Sequence, residues 1–124
     1  MAGGTATISK SVFNQLNATP ATAHRWAGPT RYDTAVAVAN GAKGLGWLDF
    51  SEIGVAARVP DAMSGGAAMG MKGGPLLLTE TNSLPNATKM FLLYNKPFIV
   101  HCTVFGGPMS ISEAVRDQIT QIIK

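Results

Sequence analysis

Four short apolar segments, separated by helical patterns, constrain the fold of this chain most strongly. The apolar segments are residues 22–26, 52–58, 76–79 and 98–105, and the helical patterns cover residues 8–16, 31–42, 61–71, 85–95 and 111–123. Strands that are apolar throughout are typical of a parallel sheet with helices packed on both faces. The pattern therefore predicts a small three-layer α/β domain with a mainly parallel four-stranded sheet.

Three helix starts have a predicted capping residue. Thr7 is the predicted N-cap of the first helix, and Pro85 is the predicted first residue of the fourth helix. Ser110 and Glu113 have the spacing of a capping box for the fifth helix.

Size and composition fit one packed domain rather than a disordered chain. The 124 residues are 46% hydrophobic and 14% charged, which supplies a core without a metal or a disulfide. Cys102 has no partner for an internal disulfide and lies in an apolar segment, where a buried, inert thiol is expected.

No apolar run approaches the roughly 20 residues that span a bilayer. No basic and apolar leader follows Met1, so the signal of a secreted parent would lie outside this sequence.

One segment near the start of the chain is repeated near its end. Residues 3–16 and 106–119 are identical at six of fourteen positions, at an offset of 103 residues. The simplest explanation is a tandem array. Residues 1–17 are then the tail helix of a preceding repeat, and residues 18–124 are one complete repeat. The alternative is a coincidence between two amphipathic helix starts.

Two arginines six residues apart flank a Gly-Pro turn in the stretch A-H-R-W-A-G-P-T-R-Y-D-T-A at residues 23–35. The guanidinium groups of Arg25 and Arg31 suit carboxylate or phosphate oxygens. The alternative is that one or both arginines pin the turn by binding backbone carbonyls or a nearby aspartate. Gly28 is expected to form the tight turn between them.

This stretch resembles the opening signature of the type-2 cell-wall-binding repeat. Further motifs follow in the order of that family: V-P-D-A-M-S at 59–64, G-G-P-L-L-L-T at 73–79, L-P at 84–85 and V-F-G-G at 104–107. The resemblance implies a Toprim-like α/β unit, three of which pack around a pseudo-threefold axis within a chain or as a homotrimer. It also implies an extracellular, non-covalent anchor in Gram-positive and related cell walls. The implied partner is an anionic glycopolymer, either teichoic-acid-like or a secondary wall polysaccharide.

Carried onto this chain, the resemblance implicates one strand and nearby cations in binding the polymer. The implied residues are Leu76, Leu77, Leu78 and Thr79, together with Arg25 and Arg31. Leucines in a strand are expected to shape the site from beneath, while cations contact the polymer. Arg58 and Lys72 are further candidates, because ligands of α/β proteins gather at the carboxyl ends of strands. Trp26 and the A-A-R at 56–58 depart from the family pattern, so the polymer specificity is expected to differ.

The third helical pattern contains glycines that weaken a helix by about 1 kcal/mol each relative to alanine. Gly66 and Gly70, four residues apart, form a flat strip that predicts a packing interface with another repeat or subunit. The alternative is tight packing on the chain's own sheet. Asp61 is expected to cap this helix, with Arg25 or Arg31 as alternative ion-pair partners. Gly106 and Gly107 are expected to form a tight turn.

Several classes of function lack any signal in the sequence. His24 and His101 have no metal-ligand spacing, and no nucleophile motif or nucleotide-binding loop is present, so we expect neither an enzyme, a metal site nor a cofactor. The net charge of +3 comes from scattered basic residues, which argues against nucleic acid. A second hypothesis beside wall binding is a structural or self-assembly domain without a ligand site of its own.

Overall fold

The computed structural model describes all 124 residues as an α/β domain. Its helices are α1 (Lys10–Asn17), α2 (Arg31–Gly44), α3 (Val59–Lys72), α4 (Asn86–Asn95) and α5 (Glu113–Ile123), and its strands are β1 (Glu52–Ala56), β2 (Leu76–Leu78) and β3 (His101–Phe105). One 3₁₀ turn, Lys96–Phe98, follows α4. The predicted alternation of helices and strands is confirmed from α2 onward.

The sheet has three strands in the order β2-β1-β3, and both neighbouring pairs are parallel. Val55 in the central strand lies opposite Leu77 on one side and Val104 on the other. The prediction of a fourth strand at residues 22–26 is wrong for this sheet. That segment forms one isolated parallel bridge, between Trp26 and Ala2, because only the first residues of the chain lie beside it.

Helices cover both faces of the sheet, and the core lies between the sheet and one of these layers. Its fully or almost fully buried side chains come from β1, β2, α2, α4 and α5, and include Ile53, Val55, Leu77, Leu92 and Ile119. Helix α3 packs on the opposite face, where Met69 is buried against Gly54. This division explains why the strands are apolar on both faces, as the sequence predicts.

Three helix starts differ from their predictions in which residue stands at the N-cap. Ser9, not Thr7, caps α1 and accepts from Val12 N at 3.2 Å. Helix α5 begins after Ser112, and that serine makes no side-chain cap bond, so the capping box of Ser110 and Glu113 is wrong. Pro85 is the N-cap residue of α4 rather than its first residue.

The two repeated segments share their backbone conformation as well as their sequence. Gly3 and Gly106 both have a positive φ, of 125° and 113°. Ser9 and Ser112, the N-cap residues of α1 and α5, have almost equal dihedrals, with φ −59° and ψ 158° against φ −61° and ψ 156°. The turn between glycine and serine is therefore built the same way twice.

Candidate functional site

Two adjoining grooves lie where β1 and β2 end and where α2 and α3 begin. The first, of about 250 Å³, is lined by Arg31, Ala57, Arg58, Val59, Ala62, Met63 and Leu78. The second, of about 480 Å³, lies between the first residues of the chain, the start of α2 and strand β2. Arg31 and Leu78 line both grooves. The amino ends of both helices add their partial positive charge to this edge of the sheet.

The turn before α2 fixes the position of Arg31. Thr30 and Asp33 form a reciprocal capping box, so Arg31 is the first residue of the helix. A side chain on Gly28 would collide with the Asp33 Cβ, which leaves room only for glycine. The Gly28 amide donates to Thr34 Oγ1 at 3.1 Å. Local sequence thus places the Arg31 guanidinium at the mouth of the grooves.

A short chain of hydrogen bonds connects Arg31 to a carboxylate. Arg31 Nη2 donates to the Tyr32 hydroxyl at 2.5 Å, and that hydroxyl donates to Glu80 Oε1 at 3.1 Å. The Ser83 hydroxyl, and then Tyr32 and the charge of Arg31, hold the pKa of Glu80 below its usual value. Arg31 itself is exposed. The network therefore orients the guanidinium while leaving it open to an anion.

Arg58 reaches the first groove from the residue that precedes α3. Its Nη2 donates to the Met109 carbonyl at 2.9 Å, and the side chain is exposed. A guanidinium has five N–H donors, so most of them stay free for an oxygen-rich ligand. Together, Arg31 and Arg58 place two cations around an apolar wall at Leu78.

The four residues implicated at β2 divide by their exposure. Leu76 and Leu78 are partly exposed and line the second groove. Leu77 and Thr79 are fully buried, and Thr79 Oγ1 donates to the Ser83 carbonyl at 3.1 Å. The alternation of a strand explains this division. The buried side chains of Leu77 and Thr79 are therefore out of reach of a ligand, whereas those of Leu76 and Leu78 line the groove.

Two of the predicted cations lie outside the grooves. Arg25 donates to the carbonyls of Gly3 at 2.9 Å and Ser9 at 3.3 Å, so it ties the α1 segment to residues 24–26. Lys72, at the carboxyl end of α3, forms an ion pair with Glu52 at 2.9 Å. Arg25 thus binds backbone carbonyls, as the structural alternative expects, but carbonyls near α1 rather than in the Gly-Pro turn. Of the two arginines in residues 23–35, only Arg31 lines the grooves.

The predicted cap residue Asp61 is not the N-cap of α3, which is Arg58, and it forms no ion pair with Arg25 or Arg31. Its carboxylate lies against the turn after β3, where a side chain on Gly106 would come within 2.7 Å of Asp61 Oδ2. Gly107, by contrast, has open space around it, and its carbonyl accepts the turn bond from Ser110 N at 2.9 Å.

The glycines of α3 have different surroundings. Gly65 is the one pressed on the sheet, because a side chain there would lie 2.7 Å from the Phe105 ring. Gly66 has only an ordinary contact with Leu76, and Gly70 has open space. Close packing within the chain therefore does not explain the strip of Gly66 and Gly70.

The remaining titratable groups do not assemble into a metal site. No three His, Cys, Asp or Glu side chains are grouped closely enough to hold a metal ion. Burial raises the pKa of the Cys102 thiol to about 11, which keeps it protonated at neutral pH. No helix is both long and apolar enough to cross a bilayer.

The hydrogen-bond network around Arg31, formed by Tyr32, Glu80 and Ser83, was not predicted from the sequence. Its contact between Tyr32 and Glu80 joins residues 48 positions apart, and no local spacing indicates it. The capping box of Thr30 and Asp33 did have a local signal, since a threonine three residues before an acidic residue at a helix start is characteristic of it.

Comparison with known proteins places this chain in a family. The model of the family described as Cell wall binding domain 2 (CWB2) matches residues 25–116. Two similar solved structures are Cwp6 and Cwp8 from Clostridium difficile, with TM-scores of 0.81 and 0.74 and sequence identities of 23% and 24%. Each alignment covers 98% of this chain and 19% of the other. A search among curated proteins gives no match. The matched family model spans most of the chain, which therefore belongs to the cell wall binding domain 2 family.

Proposed function

We propose that this domain is a non-catalytic anchor that holds an anionic cell-wall glycopolymer in the grooves at the carboxyl ends of β1 and β2. The observation that carries the proposal is the convergence of Arg31 and Arg58, from the starts of two helices, on one apolar-walled groove. Membership of the wall-binding family supports the same role. The polymer is teichoic-acid-like or a secondary wall polysaccharide, and the site is extracellular.

The mechanism is the sum of weak ionic contacts. Both arginines are exposed, and an exposed ion pair contributes about 0.2–1 kcal/mol. A single domain therefore binds a charged repeat unit weakly. Several domains held together on one polymer gain affinity through effective concentration rather than through new contacts.

Charge-removing variants test this site. Arg31→Ala and Arg58→Ala should each weaken cosedimentation with purified walls by about two- to fivefold, the equivalent of one exposed ion pair. Lys72→Ala is the matched control, since it removes the same charge at a residue already paired with Glu52. Equal losses for all three variants would mean that net charge, and not the groove, binds the wall.

We also propose that residues 1–17 are the closing segment of one repeat and that residues 18–124 form the next. The exposure of equivalent residues supports this division. Val115 and Ile119 of α5 are 0% and 1% exposed, whereas the equivalent Val12 and Leu16 of α1 are 45% and 42% exposed. Helix α1 thus has an apolar face like that of α5, but no hydrophobic core lies beneath it in this chain.

A second candidate function is self-assembly through α3, in a trimer of separate chains or of repeats. Gly66 has only an ordinary contact with Leu76 and Gly70 has open space, and Val59, Met63 and Met71 are 72%, 73% and 92% exposed. Gly66→Leu should reduce the mass measured by light scattering if this surface joins copies. A monomeric wild-type chain at high concentration would remove this candidate and leave wall binding intact.

A further inference from the structure

The outer edge of β3 carries backbone groups that no strand of this chain binds. His101 N donates to Ser51 O at 2.9 Å, on the side of β1, and in a strand every second residue faces the same neighbour. The N–H and C=O groups of Val104 therefore point away from β1, and so does the N–H of Gly106. Since β1 lies between β2 and β3, this edge of the sheet is open.

Residues 1–3 show what the equivalent edge binds. Trp26 N donates to Met1 O at 2.8 Å, and Gly3 N donates to Trp26 O at 2.9 Å, which forms the parallel bridge beside Ala2. The amino group of Met1 donates to His24 O at 2.5 Å and extends this ladder. Three hydrogen bonds thus connect residues 1–3 to the segment 24–26.

The offset of 103 residues makes residues 1–3 the equivalents of residues 104–106. Gly3 and Gly106 share a positive φ, of 125° and 113°. Both carbonyls accept from a guanidinium, although the donors are not equivalent because Phe13 stands at the position of Arg116. Arg25 Nη1 donates to Gly3 O at 2.9 Å, and Arg116 Nη2 donates to Gly106 O at 2.6 Å. The end of β3 therefore has the same backbone conformation as residues 1–3, which bind Trp26.

We infer that the open edge of β3 binds the 24–26 segment of a following copy of this unit as a fourth parallel strand, next to Phe105. Val104 N donates to His24 O of that copy, Trp26 N of that copy donates to Val104 O, and Gly106 N donates to its Trp26 O. The segment 24–26 of the same chain cannot fill this edge, because it is bound to residues 1–3.

The length of the connection suits this arrangement. Asn17 ends α1 and is the equivalent of Thr120 in α5. A following copy can therefore continue from Thr120 with its residue 18. Its residues 18–23 then connect α5 to the edge of β3, as residues 18–23 of this chain connect α1 to the bridge between Trp26 and Ala2. The inference rests on the repeat and is independent of polymer binding.

Hydrogen exchange in a two-copy chain tests the inference. The chain consists of residues 1–120 followed directly by residues 18–124, and it is compared with the 124-residue chain by NMR. The amides of Val104 and Gly106 in the first copy should exchange about tenfold or more slowly in the two-copy chain, because pairing protects them from local opening. The amides of Thr103 and Phe105, which face β1, should be unchanged and serve as the internal control.

Two variants of the second copy separate strand pairing from side-chain contact. Trp26→Pro removes the N–H that donates to Val104 O, whereas Trp26→Ala removes only the side chain. Proline should return Val104 to fast exchange, and alanine should not. Equal exchange of Val104 and Gly106 in the one-copy and two-copy chains would overturn the inference. A second copy that fails to fold would also overturn it, because residues 104–120 could then not replace residues 1–17.

Discussion

At the scale of single residues, the site depends on how the charge of Arg31 is balanced. Glu80 accepts a hydrogen bond from Tyr32, which in turn accepts from Arg31. The Glu80 carboxylate therefore competes with an anionic ligand for the positive charge of the Arg31 guanidinium. The same network thus orients this positive charge and partly neutralises it.

Glu80→Gln should strengthen wall binding by about two- to fivefold, since it removes one exposed charge interaction while keeping a side chain of the same shape. Cosedimentation with purified walls at low salt measures the change. Glu113→Gln, which removes an equal charge from the exposed first turn of α5, is the control. A gain of the same size in the control would assign the effect to net charge.

Glu52 gives the domain an acid-sensitive contact. The pKa of its carboxyl lies below the usual 4.5, because Lys72 and then His101 bind it. A carboxyl with a lowered pKa in the folded state contributes stability above its unfolded pKa and loses it as the pH falls through the folded one. Glu52→Gln should therefore lower the urea midpoint at pH 7 and leave it nearly unchanged at pH 2. An equal loss at both pH values would contradict this account.

The sequence predicted the cations of the site better than their roles. Arg31 and Arg58 come together at the ends of two strands, where ligands of α/β folds gather. Arg25 and Lys72 are paired elsewhere, with backbone carbonyls and with Glu52. Their partners are 16 or more residues away in sequence, so local spacing could not reveal them.

At the scale of elements, helix α3 contains one glycine that the fold of this chain requires and another that it does not require. Gly65 lies against Phe105, while Gly70 has open space. Sequence spacing alone treats them alike, because each weakens a helix by the same amount. Their different surroundings follow from which side of α3 meets the sheet.

Paired alanine variants test this difference. Gly70→Ala should raise the free energy of unfolding by about 1 kcal/mol, the helix propensity gained. Gly65→Ala should lower it, because the new methyl group would lie 2.7 Å from the Phe105 ring and force the ring to move. Urea unfolding measures both changes. Stabilisation by Gly65→Ala would show that α3 is not pressed on the sheet at this point.

Element types were more predictable than element boundaries. β1 and β2 occur close to their predicted positions, since continuous apolar runs mark buried strands. β3 begins three residues later than predicted, after the 3₁₀ turn Lys96–Phe98. Apolar character extends through that turn, so periodicity could not locate the start of the strand.

At the scale of the whole molecule, the parallel α/β architecture and the family follow from the sequence. The number of strands does not, because residues 22–26 have only residues 1–3 beside them in this chain. A strand depends on its neighbours, and under the proposed repeat organisation a single copy lacks some of them. The same proposal accounts for the exposed apolar face of α1.

The most direct test of the account is binding of the 124-residue chain to purified cell walls with and without their anionic polymers. The account predicts retention on intact walls, loss of retention on stripped walls, and weakening as the salt concentration rises and screens the exposed arginines. Equal retention on intact and stripped walls would contradict the central claim that anionic polymer is what this domain holds.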